Sequence, residues 1–79
     1  MQVQVKLFAT LSRFSPGAYS GAPFDLELPE DSTLQDLVRL LNIPAEEAKV
    51  IFINGIIQSM DWVIQPEDEI GIFPPIGGG

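Results

Sequence analysis

The sequence predicts a small two-layer α+β domain, in which one helix packs on one face of a mixed β-sheet. Three observations predict it: alternating apolar and polar residues in several segments, one apolar stripe of helical period, and Asn54-Gly55 between β-branched residues. The chain has 79 residues, enough for one domain. We expect the folded domain to extend over residues 1–76 and a flexible glycine tail to form residues 77–79.

The first two strands are predicted near the N-terminus. Residues 2–7 alternate with period two, and residues 24–28 do so again. Residues 12–23 between them are rich in Ser, Gly and Pro, which is typical of a loop. The two segments therefore predict an antiparallel hairpin. The inward-facing side chains of the first strand are Val3, Val5 and Leu7.

A helix of about three turns is predicted over residues 33–41. Ser32 and Gln35 have the spacing of a capping box at its start, and Asn42 and Pro44 are helix-stop signals. Apolar residues at i, i+3, i+4 and i+7 form one stripe that can cover a sheet face. These residues are Leu34, Leu37, Val38 and Leu41.

The second half of the chain predicts three more strands. Val50–Ile53 and Ile56-Ile57 flank Asn54-Gly55, which is the strongest short hairpin signal. Residues 69–73 form the last strand. The order β-β-α-β-β-β is that of the β-grasp, or ubiquitin-like, architecture, because a right-handed crossover through the helix makes a later strand parallel to the first.

Two aromatic side chains are expected on the sheet face that lies away from the helix. Phe8 and Phe73 both fall at the C-terminal ends of strands that are parallel neighbours in this architecture. They should therefore lie side by side where the tail leaves the domain. Either a loop covers them, with Phe14 and Tyr19 as candidates, or they form an exposed patch that docks a partner.

The composition excludes several classes of function. The chain has no Cys and no His, so disulfides, thiol catalysis and His general-base catalysis are excluded. Four basic against eleven acidic residues give a net charge of −7, which disfavours nucleic-acid binding. We expect no membrane segment, no metal site and a cytoplasmic location. The acidic run Glu67-Asp68-Glu69 is interpreted as a solvated turn.

The C-terminus offers one reactive group. Pro74 and Pro75 stop the last strand, and three glycines end the chain after Ile76. Six extended residues span about 20 Å, so the tail can reach into a narrow tunnel of another protein. Glycine suits such a passage because it has no side chain. The terminal carboxylate needs activation by an ATP-using partner, because a free carboxylate is a poor acylating agent.

Several motifs together resemble the small-subunit family of molybdopterin synthase. Phe73-Pro74-Pro75 with a terminal Gly78-Gly79 is the specific part of the resemblance. The other matching segments are Lys6–Leu11, Leu26–Pro29, Ser32–Leu41, Ile53–Gly55 and Pro66–Ile70. Gly77 is a departure, because an ending of three glycines also resembles the sulfur carrier of the thiamine pathway.

The resemblance implies a non-catalytic β-grasp sulfur carrier that binds no cofactor itself. A partner of the ubiquitin-activating type would use ATP to adenylate the Gly79 carboxylate, and a sulfur donor protein would convert it to a thiocarboxylate. Gly77 and Gly78 would lie in the active site of the large catalytic subunit, which makes the dithiolene of the molybdenum or tungsten cofactor. The residues expected to bind partners are Phe8, Phe73, Pro74, Pro75 and Ile76. Sulfur transfer for thiazole synthesis and isopeptide conjugation to proteins are the alternatives.

Overall fold

The computed structural model describes residues 1–18 and 21–75. In this part of the chain, five strands form one mixed sheet and one α-helix, α1 (Leu34–Leu40), follows the second strand. The strands are β1 (Gln2–Leu7), β2 (Phe24–Glu27), β3 (Val50–Ile53), β4 (Ile56–Ile57) and β5 (Glu69–Phe73). Their spatial order is β2-β1-β5-β3-β4. The predicted order of elements is confirmed.

The central pair of strands is parallel. β1 pairs with β5 in parallel register, with Val5 opposite Ile70 and Leu7 opposite Ile72. The β1–β2, β3–β4 and β3–β5 pairs are antiparallel. The predicted parallel contact between the first and last strands is therefore confirmed, and the C-terminal ends of both strands point to one edge of the sheet.

The core lies between α1 and one face of the sheet. The period-two pattern identifies Val3, Val5 and Leu7 correctly as buried. Of the predicted apolar stripe, Leu34, Leu37 and Val38 are buried, whereas Leu41, the C-cap residue, is partly buried against the core. Ile70 and Ile72 fill the same layer from β5. The alternate residues of β1 and β5 must therefore face the opposite side of the sheet, which α1 leaves uncovered.

The start of α1 corrects one sequence prediction. Its capping box joins Thr33 and Asp36, one residue later than the predicted Ser32 and Gln35. The Thr33 N–H donates to Asp36 Oδ2 at 2.9 Å, and the Asp36 N–H donates to Thr33 Oγ1 at 3.3 Å. Ser32 does not serve as the cap because its hydroxyl is used elsewhere: it donates to the Pro29 carbonyl at 2.7 Å.

The end of α1 follows the prediction. Asn42 adopts the left-handed conformation, with φ 61°, directly after the C-cap residue Leu41. The Ile43 N–H donates to the Val38 carbonyl, and the Asn42 N–H donates to the Arg39 carbonyl. These two bonds form a Schellman motif, which satisfies carbonyls that the helix would otherwise leave without partners.

The capping box gives a pH-dependent contribution to stability. The hydrogen bonds from the Thr33 backbone and side chain lower the pKa of Asp36 from its usual value of 3.8. A lowered pKa in the folded state stabilises the protein above the unfolded pKa, and this contribution is lost as the pH falls through the folded value. We expect the free energy of unfolding, measured with urea, to fall less in Asp36→Asn than in the wild type when the pH is lowered from 5 to 3. Equal losses would contradict this.

The connection between β1 and β2 also differs from the prediction. Within residues 12–23, predicted as a loop, the structure has the end of a 3₁₀ helix at Ala9–Phe14, followed by a turn at Pro16–Ala18 in which Gly17 has a φ of 78°. The reason is Leu11, which is fully buried and anchors the first 3₁₀ helix to the core. Arg13 Nη2 then donates to both carboxylate oxygens of Glu47, at 2.8 and 3.0 Å, across 34 residues of sequence.

The predicted Asn-Gly hairpin is confirmed. Asn54 and Gly55 have φ of 52° and 88°, and Ile53 pairs with Ile56 across the turn. Both central residues therefore have positive φ, as a type I′ turn requires.

Candidate functional site

The C-terminal ends of β1 and β5 meet at one edge of the sheet, and the tail leaves the domain there. The Phe8 N–H donates to the Ile72 carbonyl at 3.1 Å, which extends the parallel ladder by one bond beyond β1. The Phe8 and Phe73 rings stack with centroids 4.2 Å apart and planes at 1°. The structure therefore brings the two rings side by side as the strand pattern predicts. Their role in binding a partner stays a prediction.

A third aromatic ring, which the sequence analysis missed, completes this surface. Phe52 on β3 meets Phe73 edge to face, with centroids 5.6 Å apart. We call Phe8, Phe52 and Phe73 the aromatic patch. Alternation within β3 gives the side on which Phe52 lies, because Ile51 and Ile53 are buried. Its contact with Phe73 depends on β3 being the neighbour of β5, and strand order is not a local property of the sequence.

Two glycines fit against the Phe8 ring. A methyl group added at Gly71 would lie 3.4 Å from Phe8 Cε2, and one added at Gly21 would lie 3.1 Å from Phe8 Cε1. Gly21 also has φ of 73°, a conformation that side chains disfavour. Its N–H donates to the Leu7 carbonyl at 2.8 Å. Gly21 therefore allows the backbone that leads towards β2 to pass close to the edge of the Phe8 ring.

An open groove of about 380 Å³ lies on the face of the sheet that carries the aromatic patch. Its floor is β5 around Gly71, and the aromatic patch forms its wall at the end where the tail leaves. Lys6 lines the groove from β1 and Glu69 from β5, so one charge of each sign borders this space. The other lining residues are Gln4, Asn54, Gly55 and Ile70.

The predicted alternative, in which a loop covers the patch, depends on Phe14 and Tyr19. Phe14 packs against the buried core, and the Arg13 guanidinium lies 4.4 Å from the centroid of its ring. Tyr19 lies outside the described residues. Phe8 and Phe73 are both half-buried, so each ring still presents surface to the solvent. Of the two candidate covering residues, the one that the structure describes is thus engaged with the core.

The acidic run before β5 corrects another interpretation. Glu67 and Glu69 are exposed, but Asp68 is 6% exposed and is no solvated residue. Its carboxylate accepts hydrogen bonds from the Gln65 N–H at 2.8 Å, from Asn54 Nδ2 at 3.0 Å and from Trp62 Nε1 at 3.4 Å. Asp68 therefore fixes the Asn54-Gly55 hairpin, which borders the groove, to the start of β5.

We expect Asp68→Asn to lower the free energy of unfolding by about 1–3 kcal/mol, because an amide group presents two donors to a site that supplies donors. This is a large part of the roughly 3–5 kcal/mol that so small a core supplies. The matched control is Glu67→Gln, the same change of charge at an exposed neighbour. Urea unfolding of both variants measures the difference, and equal midpoints would contradict the role of Asp68.

The remaining predicted site residues belong to the tail. Pro74 is half-buried and Pro75 is exposed, directly after β5. Ile76, Gly77, Gly78 and Gly79 lie outside the described residues, and so do the predicted domain boundary at residue 76 and the predicted flexibility of residues 77–79. The structure thus gives the position from which the tail starts.

Two kinds of feature are absent from the described part of the chain. In residues 1–18 and 21–75, no three acidic side chains cluster closely enough to hold a metal ion. No helix among the same residues is long and apolar enough to cross a membrane.

The comparison with family models decides the relationship of this chain. The model described as the ThiS family matches residues 5–79. The chain belongs to the ThiS family. The match extends from β1 to the terminal glycine, so it includes both the β-grasp domain and the tail. No curated protein matches the chain in sequence.

Solved structures place this ThiS family chain among β-grasp proteins. SAMP1 from Haloferax volcanii is 25% identical, with a TM-score of 0.71 over 100% of both chains. A Pyrococcus furiosus protein named as a candidate molybdopterin converting factor, subunit 1, is 27% identical. Its TM-score is 0.73, over 96% of this chain and 99% of that chain. The predicted relation to ubiquitin-like sulfur carriers is thereby confirmed for this ThiS family protein.

Proposed function

We propose that this protein carries sulfur as a thiocarboxylate on Gly79 and donates it in the synthesis of molybdopterin. The observation that carries the proposal is the aromatic patch at the root of a tail that ends in three glycines. A carrier needs a surface that holds it on each partner and a tail that reaches the active site of that partner. The aromatic patch and the start of the tail lie at the same edge of the sheet in this chain.

The chemistry requires partners, because the chain itself contributes only the carboxylate. An oxygen of the Gly79 carboxylate attacks the α-phosphate of ATP, and pyrophosphate leaves. The outer sulfur of a persulfide on a donor protein then attacks the carbonyl carbon and displaces AMP, which gives an acyl disulfide. A thiol next cleaves the S–S bond of this acyl disulfide, so that the thiocarboxylate is released and the thiol forms a disulfide with the donor sulfur. The charge that develops at the phosphate and at the carbonyl oxygen is stabilised by groups of the adenylating enzyme. The large catalytic subunit of molybdopterin synthase then takes the sulfur.

The charge of the chain fits protein partners with basic faces. A net charge of −7 on 79 residues steers the carrier towards positively charged surfaces and raises the rate of encounter. The same charge is screened as salt is added, so association with each partner should slow at high ionic strength. The apolar aromatic patch then supplies contact area that salt does not weaken.

The molybdopterin role is favoured over thiazole synthesis by Phe73-Pro74-Pro75, through the family resemblance, and by the similarity to the Pyrococcus furiosus protein at 27% identity. Conjugation to other proteins is the second candidate. It is favoured by the 25% identity to SAMP1 of Haloferax volcanii, a protein also described as small archaeal modifier protein 1. All of these roles begin with the same adenylation of the terminal glycine. They differ in the acceptor of the activated carbonyl or of its sulfur.

The test is reconstitution from purified proteins. The chain is incubated with ATP, the cognate adenylating enzyme and a sulfur donor, and its intact mass is measured. We expect sulfur to replace one oxygen. The thiocarboxylated chain is then supplied to the large subunit of molybdopterin synthase with the pterin precursor, and to thiazole synthase with its own substrates. Molybdopterin in the first reaction supports the proposal, whereas product in the second reaction alone would reject it.

A further inference from the structure

We propose that Asn54 is a site of spontaneous deamidation in this protein, and that its hydrogen bonds to Asp68 and Glu69 suppress the reaction in the folded domain. This inference goes beyond the proposed function and does not depend on it. Asn54 precedes Gly55 in the turn between β3 and β4, and both residues are exposed. A methyl group built on Gly55 would meet no atom of the described residues within 4 Å, so the turn is open to water.

The reaction joins the Asn54 side chain to the backbone nitrogen of Gly55. This nitrogen loses its proton and attacks Asn54 Cγ, the bond from Cγ to Nδ2 breaks, and ammonia leaves, which gives a five-membered succinimide. Water then opens the ring at either carbonyl carbon and leaves aspartate or isoaspartate. The whole change consumes water and releases ammonia. Glycine favours the attack, because it places no side chain beside the reacting nitrogen.

The folded domain holds the Asn54 amide at both of its polar atoms. Asn54 Nδ2 donates to Asp68 Oδ1 at 3.0 Å, and Asn54 Oδ1 accepts from the Glu69 N–H at 2.9 Å. The Asn54 N–H also donates to the Glu69 carbonyl at 2.9 Å. The side chain is thereby directed to the start of β5. It cannot turn Cγ towards the Gly55 nitrogen without breaking bonds to a buried carboxylate and to the backbone of a strand.

Deamidation is incompatible with this arrangement once it has occurred. The group that donates to Asp68 becomes a carboxylate, so two negative charges face each other where a hydrogen bond had been, and the buried Asp68 loses a donor. Isoaspartate also adds a methylene to the main chain of a turn whose geometry is set by two residues. The hairpin is therefore released from β5, and with it the border of the groove that Asn54 and Gly55 form.

Asn42 provides a control within the same chain. The sequence has two asparagines, and both have positive φ, 61° at Asn42 and 52° at Asn54. Asn42 is followed by Ile43, whose branched side chain hinders the backbone nitrogen and whose N–H donates to the Val38 carbonyl at 3.1 Å. Asn42 should therefore stay intact under conditions in which Asn54 reacts.

The test follows both asparagines by mass-spectrometric peptide mapping while the whole chain is kept in warm, mildly alkaline buffer. We expect the folded wild type to react slowly at Asn54, and the same chain unfolded in urea to react much faster there. Asp68→Ala removes the acceptor of the Asn54 amide. We expect this variant to deamidate at Asn54 about 5-fold faster than the wild type, the factor that corresponds to one lost hydrogen bond.

A second comparison separates the hydrogen bond from stability in general, because Asp68→Ala also destabilises the domain. Val38→Ala destabilises it from the buried face of α1, away from the hairpin. Urea unfolding gives the unfolded fraction of each variant, and a higher rate per unfolded molecule in Asp68→Ala supports the proposal. Equal rates per unfolded molecule would overturn it, and so would a folded wild type that reacts as fast as in urea. Should Asp68→Ala not fold, Asp68→Asn is compared in the same way.

Discussion

A chain that lacks Gly79 should fold normally and yet accept almost no AMP. The deletion moves the terminal carboxylate by about 3.5 Å along the tail. A misplacement near 1 Å already costs about 100-fold in rate. The expected loss of adenylation is therefore at least of that order. Intact mass after incubation with ATP, the adenylating enzyme and a sulfur donor measures it, and circular dichroism checks the fold.

Gly78→Val addresses the passage of the tail rather than the position of its end. The carboxylate stays at the same distance from the domain, but a branched side chain would meet the tunnel wall of the partner. We expect a loss of adenylation similar to that of the Gly79 deletion. Gln2→Val adds the same side chain at an exposed residue of β1 and should be thiocarboxylated as fast as the wild type. Thiocarboxylation of the Gly79 deletion at the wild-type rate would show that the tail is not the site.

The second large effect is expected at the aromatic patch. Phe73→Ala removes the ring that contacts both Phe8 and Phe52. Truncation of an aromatic residue at the centre of an interface typically costs about 2 kcal/mol or more, which is roughly a 30-fold increase in Kd. Calorimetric titration of the adenylating enzyme measures this increase. The loss of the stack also destabilises the domain, by about 0.5–1.5 kcal/mol.

Leu40→Ala is the matched control for the patch. Leu40 is an apolar side chain, 53% exposed, on the helix layer rather than on the open face of the sheet. Its truncation should leave Kd for the adenylating enzyme unchanged. If both variants weakened binding equally, the patch would have no special role. The comparison therefore separates docking at the aromatic patch from a general effect of exposed apolar surface.

Most of the fold follows from patterns that are local in sequence. Alternation in residues 2–7 and 69–73 and the stripe of α1 give the core, and Asn54-Gly55 gives the hairpin, because each signal depends on neighbouring residues only. The capping residue could not be chosen locally. Ser32 and Thr33 are both good caps with a suitable partner three residues later, and the bond from Ser32 to Pro29 decides between them.

The candidate site is predicted less completely for the same physical reason. Phe8 and Phe73 can be paired from strand ends once the first and last strands are taken as parallel neighbours. The contact of Phe52 with Phe73 cannot be predicted in this way, because it depends on the spatial order of all the strands. The prediction for Asp68 is wrong because two exposed acidic neighbours hide a single buried carboxylate, and its donors come from residues up to 14 positions away.

The central position of β5 also has a mechanical consequence. β5 is hydrogen-bonded to β1 on one side and to β3 on the other, and the tail follows directly after its last residue. A force applied to the end of β5 along the strand axis would therefore load the hydrogen bonds of both ladders together in shear. A strand at the sheet margin would instead be peeled away one bond at a time. The domain can thus be held under tension by its own terminus while it stays folded.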